Sequence, residues 1–243
     1  MQKLFSIILK KIGILDILAN QEQQGRILEE IHKAEIFSST IADSEWLKFK
    51  SFSPGGWAAD YGLLYTLYRV LNGMRPQNVL EFGLGQSSKM IHQYSNYFKI
   101  NAITVEHDEN WIDFFNKNKE GGYSINIQRA ELDNILYKGK KTQTYKNIAS
   151  LFSNQKFDLI LVDGPLGQDH YSRPQIIEML KENLSERFCI ILDDYGRIGE
   201  QETGREVLQN LHNRKIIFHQ KVYSAEKQHL LICSNDLRFL TSL

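Results

Sequence analysis

Apolar positions change their spacing along the chain, and the changes divide it into elements. Over residues 1–20, Leu4, Phe5, Ile8, Ile12, Leu15 and Leu18 recur at helical intervals while Lys3, Ser6, Lys10 and Gly13 gather on the other side, which predicts an amphipathic helix. Residues 21–50 continue as polar helix and connector. Ser53-Pro54-Gly55-Gly56 punctuates the chain, and 57–71 predicts a helix with Trp57, Tyr61, Leu64, Tyr68 and Leu71 along one face. From residue 78 onward, short apolar runs alternate with helical periods. Strands are predicted over 78–82, 102–106, 124–129, 157–163 and 188–192, and helices over 89–98, 110–119, 144–152 and 174–184. Such alternation predicts an α/β chain with a parallel sheet covered on both faces. Thr203 with Glu206 has capping-box spacing and is expected to open a helix through Leu211. Two strands with no helix between them, 216–223 and 229–233, then predict a closing antiparallel hairpin.

The stretch around which these elements are arranged is Asn78-Val79-Leu80-Glu81-Phe82-Gly83-Leu84-Gly85-Gln86-Ser87-Ser88. It combines an apolar strand bearing a carboxylate, a tight turn with two glycines, and a serine-capped helix start. Gly83 and Gly85 can take backbone angles closed to other residues and let a ligand lie against the main chain, and the helix start at Ser87 and Ser88 offers free N–H groups. The second strand ends in Glu106, 21 residues after Gly85. An acid at an offset of about 20 grips the ribose hydroxyls of an adenosine. The dinucleotide fingerprint wants a third glycine where this chain has Ser88, and asks for no acid where it has Glu81.

Glu-x-Gly-x-Gly followed by an acid-tipped second strand resembles the class I S-adenosylmethionine-dependent methyltransferases instead. The resemblance covers about residues 53–234 and implies a Rossmann-like, doubly wound, mostly parallel seven-stranded sheet with a terminal antiparallel hairpin. The domain would span 51–243, preceded by an N-terminal helical extension over 1–50. The resemblance also implies that Glu81, Gly83, Gly85, Gln86, Ser87 and Glu106 bind S-adenosyl-L-methionine. It places Glu131, at the tip of the third strand, beside the adenine, and lets the segment before the first strand close over the cofactor, where Ser53 and Trp57 would touch it. A nicotinamide-dependent oxidoreductase would have a parallel strand in place of the hairpin.

The resemblance implies that strand one sits beside strand four and strand four beside strand five, so strand tips at Gly83–Gln86, Glu106, Asp163 and Asp193-Asp194 should line one crevice. Neighbouring strands lie only about 4.8 Å apart, so acids at adjacent tips repel unless something positive sits among them. A divalent cation such as Mg²⁺ held by Asp163, Asp193 and Asp194 would relieve the repulsion and lower the pKa of an acceptor hydroxyl. The alternative is that these aspartates terminate their strands as turn formers. Leu192-Asp193-Asp194-Tyr195-Gly196 resembles the metal-dependent O-methyltransferases of macrolide sugars. Val162-Asp163-Gly164-Pro165-Leu166-Gly167, with Leu80-Glu81-Phe82-Gly83-Leu84-Gly85 and Glu106-His107-Asp108, is similar to the glucuronoxylan O-methyltransferases and their bacterial relatives. That similarity implies a catalytic or cofactor role for Asp163 and a contact from Arg173 to an acidic or hydroxylated sugar. His170, in the loop after the fourth strand, is a second candidate base, since an imidazole titrates near neutrality.

Charge and composition narrow the class further. Lys+Arg and Asp+Glu number 29 each, so the formal charge is zero and no footprint for nucleic acid follows. The one basic cluster, Lys138-Gly139-Lys140-Lys141, is expected as a solvated loop. Cys189 and Cys233 sit in apolar runs, too few for a disulfide framework, and fit a reducing cytoplasm. Lys10 and Lys11 break the N-terminal apolar segment, which excludes a secretory signal or a membrane span; packing on the domain, or on a second copy as a homodimer, is expected over membrane contact. The fourth strand lacks the Asn/Asp-Pro-Pro-aromatic ending of enzymes that methylate exocyclic nitrogens, so a hydroxyl of a saccharide or other small molecule is the expected acceptor. The rival is a non-catalytic S-adenosylmethionine-binding or scaffold module that dimerises through its N-terminal helix.

Overall fold

The structure, a computed structural model, describes residues 14–56 and 58–243. The first part of the predicted amphipathic helix, 1–13, and Trp57 lie outside the described residues. Among the described residues nine strands form: β1 (Asn78–Phe82), β2 (Asn101–Glu106), β3 (Ile127–Arg129), β4 (Leu132–Tyr137), β5 (Lys140–Tyr145), β6 (Phe157–Val162), β7 (Leu184–Leu192), β8 (Phe218–Ser224) and β9 (Gln228–Ser234). Seven of them make one sheet in the order β3-β2-β1-β6-β7-β9-β8, parallel up to β7 and antiparallel at β9 and β8. This is the expected doubly wound α/β sheet with its terminal hairpin. β1 pairs with β2 on one side and β6 on the other, so the chain order reverses there. Phe82 is in register with Val105 and Val162, and Val162 with Leu192. The next residue on each strand, Gly83, Glu106, Asp163 and Asp193, therefore leaves the sheet at the same edge.

Helices flank both faces: α1 (Ile14–Ile41), α2 (Tyr61–Met74), α3 (Gln86–Phe98), α4 (Glu109–Asn118), α5 (Ile148–Leu151), α6 (Gln175–Glu182) and α7 (Ile198–Asn213), with a 3-10 helix at Asn235–Ser242. Successive strand residues alternate between two apolar cores, which is why the central strands are continuous apolar runs. Val79, Leu159, Leu161 and Ile191 enter one core with α2, α3 and the end of α1; Leu80, Ile160, Val162 and Ile190 enter the other with α6 and α7. Phe37, Ile41, Trp46 and Leu47 are buried in the first core, so the end of the expected extension is built into the domain. Ile17, Ile27, Leu28 and Ile31 of α1 are exposed. Among the described residues no helix is long and apolar enough to cross a membrane.

Several elements differ from expectation. α2 begins at Tyr61 rather than 57, where the buried Asp60 caps it by accepting the Leu63 N–H at 2.7 Å. α7 begins five residues before the predicted capping box, whose members are used elsewhere: the Thr203 hydroxyl donates to the Ser172 carbonyl at 2.6 Å, and Glu206 pairs with Lys138. The cluster 138–141 is no free loop but the turn of an antiparallel ribbon, β4–β5, with Lys138 and Gly139 both at positive φ (48° and 76°), as a two-residue primed hairpin turn requires. The predicted helix 144–152 shrinks to α5 as a result. The ribbon bears on the loop after β6: Thr142 Oγ1 donates to the Tyr171 carbonyl at 2.9 Å, and the Tyr137 and Tyr171 rings meet edge-on at 5.1 Å.

Candidate active site

At the edge where chain order reverses, the bend after β1 touches the tip of β6. Gly83 has φ +98°, its N–H donates to the Val105 carbonyl at 2.9 Å, and a Cβ built on it would lie 2.6 Å from the Asp163 carbonyl oxygen. Only glycine serves there. A Cβ on Gly85 would meet nothing within 4 Å, because the space in front of the bend is open. Glu106 closes the other side. Its Oε2 accepts the Leu84 N–H at 3.0 Å, and its Oε1 accepts the N–H groups of His107 and Asp108 at 2.7 and 3.0 Å. Three amides pin the carboxylate against the bend and leave lone pairs on Oε2 for a further donor. Asp108 caps α4, and from that helix the Trp111 indole donates to the Leu84 carbonyl at 2.7 Å. The cavity so bounded has a volume of about 530 Å³ and is closed by Ser53, Gly55, Ala58 and Ala59 on one wall and Tyr145, Asp163, Pro165 and Leu166 on another.

Glu81 stands behind the bend, fully buried. Its carboxylate accepts hydroxyl donors from Ser87, Ser88 and Thr104, each at 2.6 Å. Because Thr104 gives its proton to Glu81, the 2.8 Å contact from His92 Nε2 to Thr104 Oγ1 has the imidazole as donor, and burial holds that imidazole neutral with its pKa lowered to about 4. Burial pushes the Glu81 pKa up to about 7, against the pull of its three hydroxyl donors. A carboxyl raised in the folded state contributes stability below its unfolded pKa and loses it as pH rises through the folded value. Glu81→Gln is therefore expected to flatten the fall in stability between pH 4.5 and 7, a window over which this one group costs the wild type about 3 kcal/mol. Urea midpoints at pH 5 and pH 8 measure it, and parallel wild-type and variant curves would refute the assignment.

Acids and bases meet at the other end of the cavity. Asp163, Asp193 and Asp194 bring one carboxyl oxygen each within 4.8 Å of one another. Arg173, on the loop after β6, reaches among them, with Nη2 2.9 Å from Asp194 Oδ2 and 3.5 Å from Asp163 Oδ1. Arg197 Nη1 lies 2.9 Å from the same Asp194 oxygen, and Lys227 Nζ 3.8 Å from Asp194 Oδ1. Burial raises the Asp163 pKa to about 6, with Arg173 opposing the rise, and raises that of Asp193 well above the usual carboxyl range. Both Asp193 carboxyl oxygens lack a hydrogen-bond partner among the described residues and border an internal space of about 10 Å³ beside Arg173 and Glu200.

The structure thus gathers Gly83, Gly85, Gln86, Glu106, Asp163 and Asp194 of the predicted site on one cavity. Other expected contacts fall elsewhere. Glu81 and Ser87 are sealed behind the bend and support it without reaching the cavity. Glu131 does not flank the cavity: past β3 the chain turns out into the ribbon, leaving the Glu131 side chain 71% exposed and 3.9 Å from Lys146, while Tyr145 occupies that wall. His170 faces a neighbouring groove shared with Arg197 and Ile198, its Nδ1 3.2 Å from Glu202. Trp57 lies outside the described residues. Sequence reading missed Trp111, Tyr145 and Arg197; only Trp111, one helical turn past the Asp108 cap, carried a local signal.

No protein-family model and no curated protein matches the chain. Solved structures do. The methyltransferase PaMTH1 of Podospora anserina, solved with SAH bound, is 15% identical, with 86% of this chain and 88% of that chain covered at a TM-score of 0.50. A protein from Staphylococcus aureus assigned as a caffeoyl-CoA O-methyltransferase is 11% identical, with 84% of this chain and 100% of that chain covered at a TM-score of 0.52. The fold is that of these methyltransferases. At such identities the likeness is one of fold.

Proposed function

We propose that the chain is an S-adenosylmethionine-dependent methyltransferase acting on a hydroxyl of a small polar acceptor, a saccharide or other polyol. The observation that carries this reading is the pairing of the Gly83–Gly85 bend with the Glu106 carboxylate across one cavity of about 530 Å³, a size suited to a nucleoside ligand. The SAH bound to PaMTH1, on the same fold, supports it. S-adenosylmethionine supplies, when bound, an electrophilic methyl group on a sulfonium centre. Glu106 would accept hydrogen bonds from the ribose hydroxyls through its remaining lone pairs, and the open side of Gly85 would admit the methionine part. Ala58, Ala59, Pro165 and Leu166 are apolar walls that exclude water. Asp163, partly open to the cavity and held by Arg173, would accept the proton released by the acceptor hydroxyl. We place His170 outside this step, since it faces the neighbouring groove and is engaged by Glu202. Cys189 and Cys233 are buried and free, which supports a reducing, cytoplasmic setting.

Calorimetric titration tests the reading. S-adenosylmethionine and S-adenosylhomocysteine are expected to bind and a nicotinamide dinucleotide not to. Glu106→Ala is expected to weaken both by about 100-fold, the loss of hydrogen bonds to a charged group worth about 1.5–3 kcal/mol each. No heat from S-adenosylmethionine would end the proposal.

A further inference from the structure

Acids at neighbouring strand tips have the composition of a divalent-cation site, but this site is built around a side chain. The Arg173 guanidinium, 5% exposed, contacts carboxyl oxygens of two of the three acids a cation would use. Its Nη2 contacts Asp194 Oδ2 at 2.9 Å and Asp163 Oδ1 at 3.5 Å, its Nη1 donates to the Asp193 carbonyl at 3.3 Å, and its Nε donates to the Pro165 carbonyl at 3.0 Å. Four contacts fix one planar group. A carboxylate-bound divalent ion needs oxygens at about 2.0–2.6 Å, the volume these nitrogens already fill. Charge tells the same way: among the described residues Arg173, Arg197 and Lys227 stand among Asp163, Asp193, Asp194 and Glu200, so most of the negative charge is met without a dication. Asp193 lines the internal space beside Glu200 and is not among the residues that line the cavity. Arg173 itself sits at φ +58°, a costly angle for a residue with a Cβ, and the backbone keeps it there while the guanidinium makes these contacts.

We propose that Arg173 takes the place of a divalent cation, making this a metal-independent site in which a fixed guanidinium positions Asp163 and Asp194. The inference concerns the site that the methyltransferase reading uses, but its test needs neither S-adenosylmethionine nor acceptor. In manganese titrations of the full chain followed by electron paramagnetic resonance, wild type is expected to leave the free-ion signal at full amplitude, with a Tm unchanged by manganese or chelator. Arg173→Lys, which keeps the charge, should behave likewise. Arg173→Met strips the acids of their central cation and is expected to gain a saturable manganese site, lost again when Asp194→Asn is added. Manganese binding by wild type that Asp194→Asn abolishes, a chelator-sensitive wild-type Tm, or a folded Arg173→Met that gains no manganese would each overturn the proposal. The wild-type titration decides even where Arg173→Met fails to fold. Manganese silence together with absent S-adenosylmethionine heat would sink the methyltransferase reading and leave the charge substitution standing.

Discussion

Asp163→Asn is expected to slow methyl transfer by about 10²–10⁴-fold, the usual contribution of a positioned proton acceptor, while S-adenosylmethionine affinity stays within about threefold of wild type. The side chain keeps its shape but loses the ability to take a proton, together with the charge that faces Arg173. Burial raises the Asp163 pKa to about 6, with the adjacent Arg173 guanidinium holding the rise in check, so the carboxylate is mostly ionised at neutral pH and can act. A base works only when deprotonated, so kcat should climb as pH rises through about 6 and then level, and the asparagine variant should lack that limb. S-adenosylhomocysteine production over a panel of monosaccharides and polyols, from pH 5 to pH 8, supplies both readouts. A variant that turns over at the wild-type rate with the same pH profile would remove Asp163 from the chemistry and reopen the case for His170.

Gly83→Ala should cost about 3 kcal/mol of stability, roughly 10 °C in melting temperature, and remove cofactor binding with it. A side chain there must adopt φ +98° and push its Cβ to 2.6 Å from the Asp163 carbonyl, so the β1 bend and the β6 tip would have to part. Gly85→Ala is the informative companion. Its backbone is extended and its Cβ would meet nothing within 4 Å, so the variant should melt like wild type yet bind S-adenosylmethionine more weakly, because the methyl enters the space proposed for the ligand. Differential scanning calorimetry paired with titration separates the two. Equal losses of stability in both variants would contradict this division of roles.

The parts of the molecule legible in the sequence were those whose signals are local. β1, its glycine bend and the acid at the end of β2 lie within 29 residues of one another, and each obeys a spacing rule that needs no knowledge of the rest of the chain. The parallel sheet followed from alternation, because a central strand buried on both faces must be apolar throughout, whereas the order of its strands followed only from the family resemblance. The β4–β5 ribbon was hidden for the opposite reason: the alternate buried positions of β5 are the polar Thr142 and Thr144, and Leu136 of β4 is exposed, so no apolar alternation with a period of two marks it. Glu131 was misplaced with it, since the direction of the chain after β3 depends on that ribbon. Arg173 could be named as a site residue but not seated among the acids, because its position depends on the path of a nine-residue stretch, 164–172, that contacts the ribbon and α7. Trp111 reaches the bend only through the orientation of α4, which the Asp108 cap sets.

The β4–β5 ribbon lies outside the seven-stranded sheet yet grips the 166–173 loop through Thr142 and Tyr137, ties to α7 through Lys138, and lends Tyr145 to the cavity wall. On the proposed reading, the ribbon would border the acceptor side of the cavity while the glycine bend and Glu106 would hold the nucleoside. Grafting a ribbon of different length or side chains at positions 132–144, with Tyr145 kept because it stacks on Phe82 and donates to the Val105 carbonyl, would then change which acceptors are admitted while the glycine bend and Glu106 stayed as they are.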